Sequence, residues 1–258
     1  MVGNGAYGEV YEARVIGGPL KGLRVVAKRA KVKRAKEADG SNAQRYLEVE
    51  AYINDVLMAL CPEIAPRYLG ICNKKGREWL VWEFAGTETL EDILVRCASG
   101  NTLKPLASVL RLEDFDGGVR SVQKLVTEVA VQLLTCCQAL EESGIAHRDV
   151  KPNNLLVRDG RLCLIDLGSA AAMGLTARTG FDENKACWTT SYAPPELFID
   201  ENRWASYDVY SVALILVRIV FPPLWDGGDF ESFSGAYRAA GYDLDAWLRQ
   251  VPLFAAIE

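Results

Sequence analysis

The sequence has little histidine, no paired metal-type cysteines and no excess of positive charge. Its 258 residues include a single histidine, and none of its seven cysteines belongs to a C-x-x-C pair. An odd cysteine count without such pairs indicates reduced thiols rather than a disulfide scaffold. The net charge of −5 argues against a nucleic-acid-binding protein, whose surface is usually basic. We therefore expect no nucleic-acid partner.

Long apolar runs are also missing. The longest, residues 209–221, is interrupted by Ser211 and Arg218. A helix that crosses a bilayer needs about 20 apolar residues, so this run predicts a buried helix instead. No signal peptide is visible among the glycine-rich first residues. We expect this segment to be soluble and to make no membrane contact by itself.

Two local features each leave two interpretations open. Cys136 and Cys137 lie in the apolar stretch VQLLTCCQAL, where they are interpreted as small hydrophobic residues of a helix core; a redox pair is the alternative. Residues 21–36 contain eight Lys and Arg in sixteen positions. This stretch is interpreted as a solvated loop, with a docking patch for an acidic partner as the alternative.

The order of periodic segments indicates two lobes. Before residue 85, three strands are predicted in GEVYEARVI, LRVVAKRA and REWLVWEFAG, with one helix over 43–60. After residue 86 the spacing is mainly helical, with one short hairpin that turns at Asp159 and Gly160. This order predicts a bilobal α+β fold: a small antiparallel-β N-lobe with one helix over 1–85, and a larger, mainly α-helical C-lobe over 86–258.

The segment GNGAYGEV, residues 3–10, matches the pattern G-x-G-x-x-G-x-V. Gly3, Gly5 and Gly8 would let backbone N–H groups approach phosphate oxygens without interference from side chains. The same glycines can open a dinucleotide-binding unit, but that fold requires a helix directly after them. Here a predicted strand follows, so a glycine-rich hairpin over nucleotide phosphates is the better interpretation.

A lysine stands at the end of the second predicted strand. Lys28 follows the apolar residues VVA, where its ammonium could contact the α- and β-phosphates of a nucleotide. A carboxylate must hold it there, and the predicted helix offers Glu48 and Glu50. We prefer Glu50, because Ile53, three residues on, would share its face towards the core.

The strongest local pattern is HRDVKPNN, residues 147–154, followed by IDLG. Asp149 can accept a hydrogen bond from a substrate hydroxyl, and Lys151 can neutralise charge on a migrating phosphoryl group. Asn154 and Asp166 carry oxygen atoms suited to Mg²⁺. Positioning and a bridging metal are what phosphoryl transfer chiefly requires.

Together these motifs resemble the eukaryotic-type protein kinases. The glycine loop, Lys28, HRDVKPNN, DLG and YAPPE occur in the family's order, and YDVYSVAL resembles its buried helix, whose Asp208 would brace the catalytic loop. The resemblance covers residues 1 to about 221. It implies an enzyme that uses ATP and Mg²⁺ to transfer the γ-phosphoryl group to a protein substrate. Lys151 and Thr189 match the serine/threonine kinases within the family.

The resemblance implies a role for each of a few residues. Asp149 would be the catalytic base, with Lys151 as its electrostatic partner. Lys28 would be held against the phosphates by Glu50. The metal ligands would be Asn154 and Asp166.

ATP would be enclosed by residues of both lobes. The glycine loop would cover the phosphates, apolar side chains would sandwich adenine, and backbone groups of the hinge would contact it. These positions are, in the same order, Gly3, Gly5 and Gly8; Val10, Val26 and Leu156; Glu83 and Ala85. Trp82 falls at the gatekeeper position, so we expect the pocket behind adenine to be closed. His147 would take no proton from the substrate and would instead support the DLG segment.

A narrower resemblance is to the chloroplast state-transition kinases of algae and plants. GREWLVWEFAGTETLEDIL, VEAYINDVLMALC and above all the tail that begins at Phe221 carry it. It implies a kinase on the stromal face of the chloroplast thylakoid membrane that phosphorylates light-harvesting antenna proteins. It also implies a membrane anchor elsewhere in the full-length protein. We therefore expect a single kinase domain that is truncated at both ends.

Three features depart from the kinase pattern. Leu167 replaces the commoner phenylalanine of DFG, although an apolar leucine can still pack under the helix. Asn54 stands where an apolar residue is usual, four residues after Glu50, which keeps Glu48 open as the alternative. The arginine that would pair with Glu196 is not identified among three candidates: Arg218, Arg238 and Arg249.

Two other functions share part of this pattern. A pseudokinase would bind a nucleotide and act as a scaffold, but such proteins usually lack the metal-binding or catalytic residues that are present here. A small-molecule phosphotransferase would use the same base and metal, yet it would not need the peptide-docking segment YAPPE. A protein serine/threonine kinase is therefore the leading prediction.

Overall fold

The computed structural model describes residues 3–4, 8–30, 40–172, 189–195 and 204–249. Within these ranges an antiparallel β-sheet with one helix is followed by a mainly helical part. The predicted α+β fold, with a β-rich N-lobe and a helical C-lobe, is confirmed.

The N-terminal sheet sets one wall of the cleft between the lobes. Its strands are β1 (Gly3–Asn4), β2 (Gly8–Arg14), β3 (Arg24–Ala30), β4 (Tyr68–Lys74) and β5 (Arg77–Glu83), in the antiparallel order β1-β2-β3-β5-β4. Side chains alternate between the two faces of a strand. In β3, Val25 and Ala27 are therefore buried on one face, while Val26 and Lys28 line the cleft on the other.

Helix α1 (Gly40–Leu60) joins the sheet to the rest of the protein. Leu47 belongs to a small core that includes residues of the sheet, whereas Ile53 and Leu57 belong to the main core. Apolar residues at helical spacing pack a helix against its neighbours. Here they pack α1 against both the sheet and the main core. Glu50 lies between them and is almost fully buried, so the helix carries a charged group into the interior.

The C-terminal part is built from helices: α2 (Leu90–Gly100), α3 (Lys104–Val109), α4 (Val119–Glu142), α5 (Trp204–Val220), α6 (Gly227–Ala239) and α7 (Leu244–Leu248). Helices α4 and α5 pack against each other at its centre. The apolar run over 209–221 forms most of α5, as predicted. Among the described helices, none is long and apolar enough to cross a membrane.

Helix α2 begins at a capping box. Thr89 Oγ1 accepts a hydrogen bond from the N–H of Asp92 at 3.2 Å, and the Asp92 carboxylate accepts from the N–H of Thr89 at 2.8 Å. This exchange satisfies two N–H groups that the first turn of a helix leaves without partners. The start of α2 is thereby fixed, and with it the position of Glu91 in the first turn.

Two short strand pairs flank the catalytic loop. They are β6 (Ile145–Ala146) with β9 (Ala171–Ala172), and β7 (Leu155–Arg158) with β8 (Arg161–Leu164). The second is the predicted hairpin, which is confirmed. Asp159 and Gly160 at its turn have φ values of 52° and 84°, as a type I′ turn requires.

Strand β4 was missing from the predicted elements. It pairs with β5 from Tyr68 to Lys74, but the register shifts between Tyr68 and Gly70. Gly70 has a φ of 107°, a conformation that other residues rarely adopt. Such an irregularity interrupts the alternation of apolar and polar residues from which a strand is predicted.

The basic stretch is mainly strand where it is described, which corrects its interpretation as a loop. Arg24 lies 2.7 Å from Glu12, and Arg29 lies 2.7 Å from Glu9. Residues 31–36 lie outside the described part of the chain. Two of the basic side chains are thus already paired within the sheet.

Cys136 and Cys137 lie on the buried face of α4, as expected for core residues. Burial raises the pKa of Cys136 to about 12 and raises that of Cys137 as well, so both thiols stay protonated near neutral pH. We expect iodoacetamide at pH 8 to modify the exposed Cys72 in the native protein and to leave this pair unmodified. Mass spectrometry of tryptic peptides measures this, with the guanidinium-unfolded protein as control. Modification of the pair in the native protein at the rate of Cys72 would support the redox interpretation.

Candidate active site

A cavity of about 320 Å³ lies between the sheet and the helical part. Pockets for small ligands have volumes of roughly 300–1,000 Å³. Most residues predicted to contact a nucleotide or a metal line this cavity: Val10, Val26, Lys28, Glu83, Ala85, Asn154, Leu156 and Asp166. Glu50, the predicted partner of Lys28, lines it as well. Asp149 and Lys151 do not line it, but Asn154 does, and Asn154 is bonded to Asp149.

Lys28 joins the two lobes through carboxylates. Its Nζ lies 2.7 Å from Glu50 Oε2 and 2.6 Å from Asp166 Oδ1. Although burial opposes its charge, Asp166 and Glu50 together raise the pKa of Lys28 above its ordinary value. The ammonium of Lys28 in turn lowers the pKa of Asp166, which keeps that group a carboxylate. Glu48 is exposed, so the structure brings Glu50 rather than Glu48 against the lysine.

Gly8, the last glycine of the segment, lies close to Lys28. Gly8 pairs with Ala30 on β3, and a Cβ atom on Gly8 would stand 2.7 Å from the carbonyl oxygen of Arg29 and 3.1 Å from Lys28 Cε. A side chain at this position would therefore displace the lysine or the strand. Gly3 pairs with Val10 in the same sheet, whereas Gly5 lies outside the described residues.

Apolar side chains from both lobes face each other across the cavity. Val10 and Val26 line it from the sheet, and Leu156 lines it from β7. At the hinge, the N–H of Glu83 donates to the carbonyl oxygen of Arg67 at 2.9 Å. Among its backbone groups, Glu83 could therefore offer adenine only its carbonyl oxygen.

Asp149 is held by three donors. Lys151 Nζ and Asn154 Nδ2 lie 2.7 and 2.9 Å from its Oδ2, and the N–H of Thr189 donates to its Oδ1 at 3.1 Å. Lys151 Nζ also donates to Thr189 Oγ1 at 2.6 Å. Thr189 thus contacts both residues, with its N–H bonded to Asp149 and its hydroxyl to Lys151. Charged hydrogen bonds of this kind fix the orientation of the carboxylate.

Asn154 and Asp166 form a donor set that fits Mg²⁺. Asn154 uses its nitrogen in both hydrogen bonds to Asp149, so its carbonyl oxygen is the atom that a metal would take. Mg²⁺ prefers oxygen ligands and is usually held by one or two carboxylates together with substrate phosphates. In the described ranges, no group of three or more His, Cys, Asp or Glu side chains could hold a metal ion alone.

His147 is a support of the catalytic loop. It is fully buried, its Nδ1 accepts from the N–H of Asp149 at 3.3 Å, and its Nε2 lies 3.1 Å from the carbonyl oxygen of Ile165. Nε2 must therefore carry the proton and donate to Ile165, next to Asp166. Asp208 accepts from the backbone N–H groups of His147 and Arg148 at 2.7 and 2.8 Å, as its predicted bracing role requires. Both ring nitrogens of the histidine are thus occupied away from any substrate.

Asn54 has a hydrogen-bonding role that the sequence did not reveal. It is 1% exposed, its Nδ2 donates to the carbonyl oxygen of Glu50 at 2.8 Å, and its Oδ1 accepts from Trp82 Nε1 at 2.8 Å. Both residues line the cavity. The polar residue at an apolar position is therefore satisfied by the backbone of Glu50 and by Trp82, the predicted gatekeeper. Leu167 is buried, as expected.

Arg218 forms a second network that was not predicted. Its guanidinium lies 2.5 and 2.7 Å from the carboxylate oxygens of Glu91 and donates to Tyr192 Oη at 2.9 Å. It also donates to the carbonyl oxygens of Leu224 and Trp225, each at 2.9 Å. The signal in the sequence was a charged residue inside an apolar run, because a buried charge requires partners.

Arg238 and Arg249, the other two candidate partners of Glu196, also donate hydrogen bonds to other residues. Arg238 donates to the carbonyl oxygen of Thr190 at 2.7 Å, and Arg249 donates to that of Asp245 at 3.2 Å. Glu196 itself lies outside the described residues, so its pairing stays open.

Helix α6 packs against the segment over 189–195, whose Thr189 contacts the catalytic loop. Phe230 stacks on Tyr192 with ring centroids 4.6 Å apart. Ser234 Oγ donates to the carbonyl oxygen of Ser191 at 2.9 Å. The tail that begins at Phe221 therefore supports the segment that contains Thr189.

Comparison with known proteins agrees with this geometry. Residues 1–234 match the protein kinase domain family. The chain is 26% identical to the chloroplastic serine/threonine-protein kinase STN8 of Arabidopsis thaliana, over 87% of this chain and 50% of that protein. It is 26% identical to the chloroplastic serine/threonine-protein kinase STN7 of the same plant, over 81% of this chain and 42% of that protein.

A probable LRR receptor-like serine/threonine-protein kinase of Arabidopsis thaliana is 28% identical over 85% of this chain and 20% of its own length. The chain thus spans half or less of the length of these relatives. Because the family match covers most of the chain, and because the cleft brings together the motifs that the family shares, the chain belongs to the protein kinase domain family.

Proposed function

We propose that this chain is an ATP- and Mg²⁺-dependent serine/threonine protein kinase domain, with its N-lobe over 1–85 and its C-lobe over 86–258. One observation carries the proposal. Asp149 is oriented by Lys151, Asn154 and Thr189, while Lys28 is bound to carboxylates of both lobes in the adjoining cavity.

The side chains divide the reaction between them. The hydroxyl group of a serine or threonine substrate would donate a hydrogen bond to a carboxylate oxygen of Asp149. This bond would point the hydroxyl oxygen at the γ-phosphoryl group of ATP, and Asp149 would receive the hydroxyl proton as ADP leaves. Lys151, within reach of the same carboxylate, would neutralise charge on the migrating group. Lys28 would hold the α- and β-phosphates, with Glu50 fixing its ammonium. Mg²⁺, held by Asn154 and Asp166, would neutralise the phosphate oxygens.

The proposed substrates are light-harvesting antenna proteins at the stromal face of the chloroplast thylakoid membrane. The similarity to two chloroplastic kinases supports this, as does the resemblance to state-transition kinases in the tail from Phe221. The described part of this tail, up to residue 249, contains α6 and α7. A membrane anchor elsewhere in the full-length protein belongs to the same proposal.

The test of phosphate transfer uses radiolabelled ATP with Mg²⁺ and casein. We expect the unmodified chain to transfer phosphate, and Lys28→Met to lower the rate at least about 100-fold, because the phosphates lose the group that positions them. Lys21→Met is the matched control, since Lys21 is an exposed lysine near the same strand, and it should retain full activity.

A chain that transfers no more phosphate than Lys28→Met, yet binds ATP, would be a pseudokinase, and the proposed function would be wrong. The proposed substrate is tested separately. Antenna proteins in thylakoid membranes should be phosphorylated at a higher rate than casein at equal protein concentration. Equal or lower rates on antenna proteins would contradict the state-transition assignment while leaving the kinase activity in place.

A further inference from the structure

The hydrogen bond between Asn54 and Trp82 connects helix α1 to the sheet one turn beyond Glu50. Asn54 uses both ends of its amide: Nδ2 donates to the carbonyl oxygen of Glu50, and Oδ1 accepts from Trp82 Nε1, each at 2.8 Å. An amide at 1% exposure is costly to bury unless it is fully bonded. A leucine would fill this position without that cost. The asparagine is therefore best explained by the bonds that it makes.

Trp82 is a fixed partner for this bond. On β5 its backbone lies opposite Val26 of β3 on one side and Tyr68 of β4 on the other. Its ring packs against that of Tyr68, with centroids 5.5 Å apart. An indole confined in this way can hold the helix at a defined distance from the sheet.

The same turn of α1 carries the carboxylate that binds Lys28. Asn54 bonds directly to the backbone of Glu50, and Glu50 lies 2.7 Å from Lys28 on the neighbouring strand of the sheet. A buried ion pair is stable only when its geometry is well held. A shift of α1 away from the sheet would lengthen the Asn54–Trp82 bond and the Glu50–Lys28 pair together.

We propose that Asn54 and Trp82 are positioning residues: their hydrogen bond holds Glu50 in the place from which it orients Lys28. The bond also keeps the indole beside Asn54 in the lining of the cavity, so that the position of the helix and of this part of the lining depend on one contact. This inference deepens the proposed function and rests on it for its kinetic consequences.

The test is a double-mutant cycle with Asn54→Leu, Trp82→Phe and the double variant. Each single change leaves a buried polar atom without its partner and lets α1 move. We expect each to lower kcat about tenfold and to raise the KM for ATP, with the KM for the protein substrate unchanged. The double variant should be no worse than either single variant, because both changes remove one interaction.

The matched control is Trp79→Phe on the same strand. The buried Nε1 of Trp79 has no hydrogen-bond partner in the described part of the chain, so this variant loses an indole N–H without losing such a bond. It should retain wild-type kcat. Asn73→Leu, at an exposed position of β4, is the corresponding control for the asparagine.

Hydrogen exchange of the backbone amides after Glu50 in α1 is a second readout that does not depend on activity. We expect faster exchange in Asn54→Leu and Trp82→Phe and unchanged exchange in both controls. Single variants that are thermally destabilised but keep wild-type kcat and KM for ATP would show a purely structural contact and overturn the inference. Losses that multiply in the double variant would overturn it too, because the two residues would then act independently.

Failure of the proposed function is distinguishable from failure of this inference. A wild-type chain without phosphate transfer would contradict the kinase assignment, and the exchange experiment would then decide alone whether the bond holds α1. Unchanged exchange in both single variants would overturn the inference in that case.

Discussion

Asp149→Ala is expected to lower kcat for phosphate transfer by about 10²- to 10⁴-fold, the range that a positioned general base contributes. Three donors orient this carboxylate, and the substitution removes the group that would accept the proton of the substrate. The KM for ATP should change little, because Lys28 and its partners are untouched. Steady-state kinetics with casein and radiolabelled ATP measure both parameters.

His147→Phe is the matched control, since this residue lies two positions away and is fully buried. Both of its ring nitrogens contact the protein's own backbone, so phenylalanine removes only a support of the loop. We expect this variant to retain measurable activity. If His147→Phe were less active than Asp149→Ala at equal thermal stability, the assignment of Asp149 as the base would be wrong.

The relative positions of several candidate site residues could be predicted from short motifs, because these residues are close in sequence. Asp149, Lys151 and Asn154 lie within one loop, and a hairpin leads from this loop to Asp166. Local spacing therefore fixes their relative positions once the loop is braced. Lys28 and Glu50 were paired from strand and helix periodicity, and the structure places them in contact.

The contacts that stabilise this site could not be predicted, because they join distant elements. Asn54 and Trp82 are 28 residues apart, and Glu91 and Arg218 are 127 apart. A polar residue at an apolar position indicates that a partner is needed, but the pattern does not identify the partner. Only the packing of helix on sheet, or of one helix on another, brings the two side chains together.

Arg218→Met is expected to lower the free energy of unfolding by about 3–5 kcal/mol, the usual cost of removing one member of a buried ion pair. The side chain of Arg218 is 2% exposed and that of Glu91 is 19% exposed, so the remaining carboxylate would be only partly hydrated. Tyr192 Oη and the carbonyl oxygens of Leu224 and Trp225 would also lose their donor. Urea unfolding followed by tryptophan fluorescence measures the change.

The double variant Glu91→Leu with Arg218→Met separates the ion pair from the other bonds. Replacing both charges by apolar residues leaves no carboxylate buried without its partner. The loss in the free energy of unfolding should therefore be smaller than the sum of the two single losses by at least about 1 kcal/mol. The double variant should still be less stable than the unmodified chain, because the carbonyl oxygens of Leu224 and Trp225 still lack their donor. Arg238→Met is the control, since this exposed arginine makes one bond to Thr190 and should cost less than about 1 kcal/mol. Equal losses for Arg218→Met and Arg238→Met would show that the buried network does not stabilise the contact of α2 with α5.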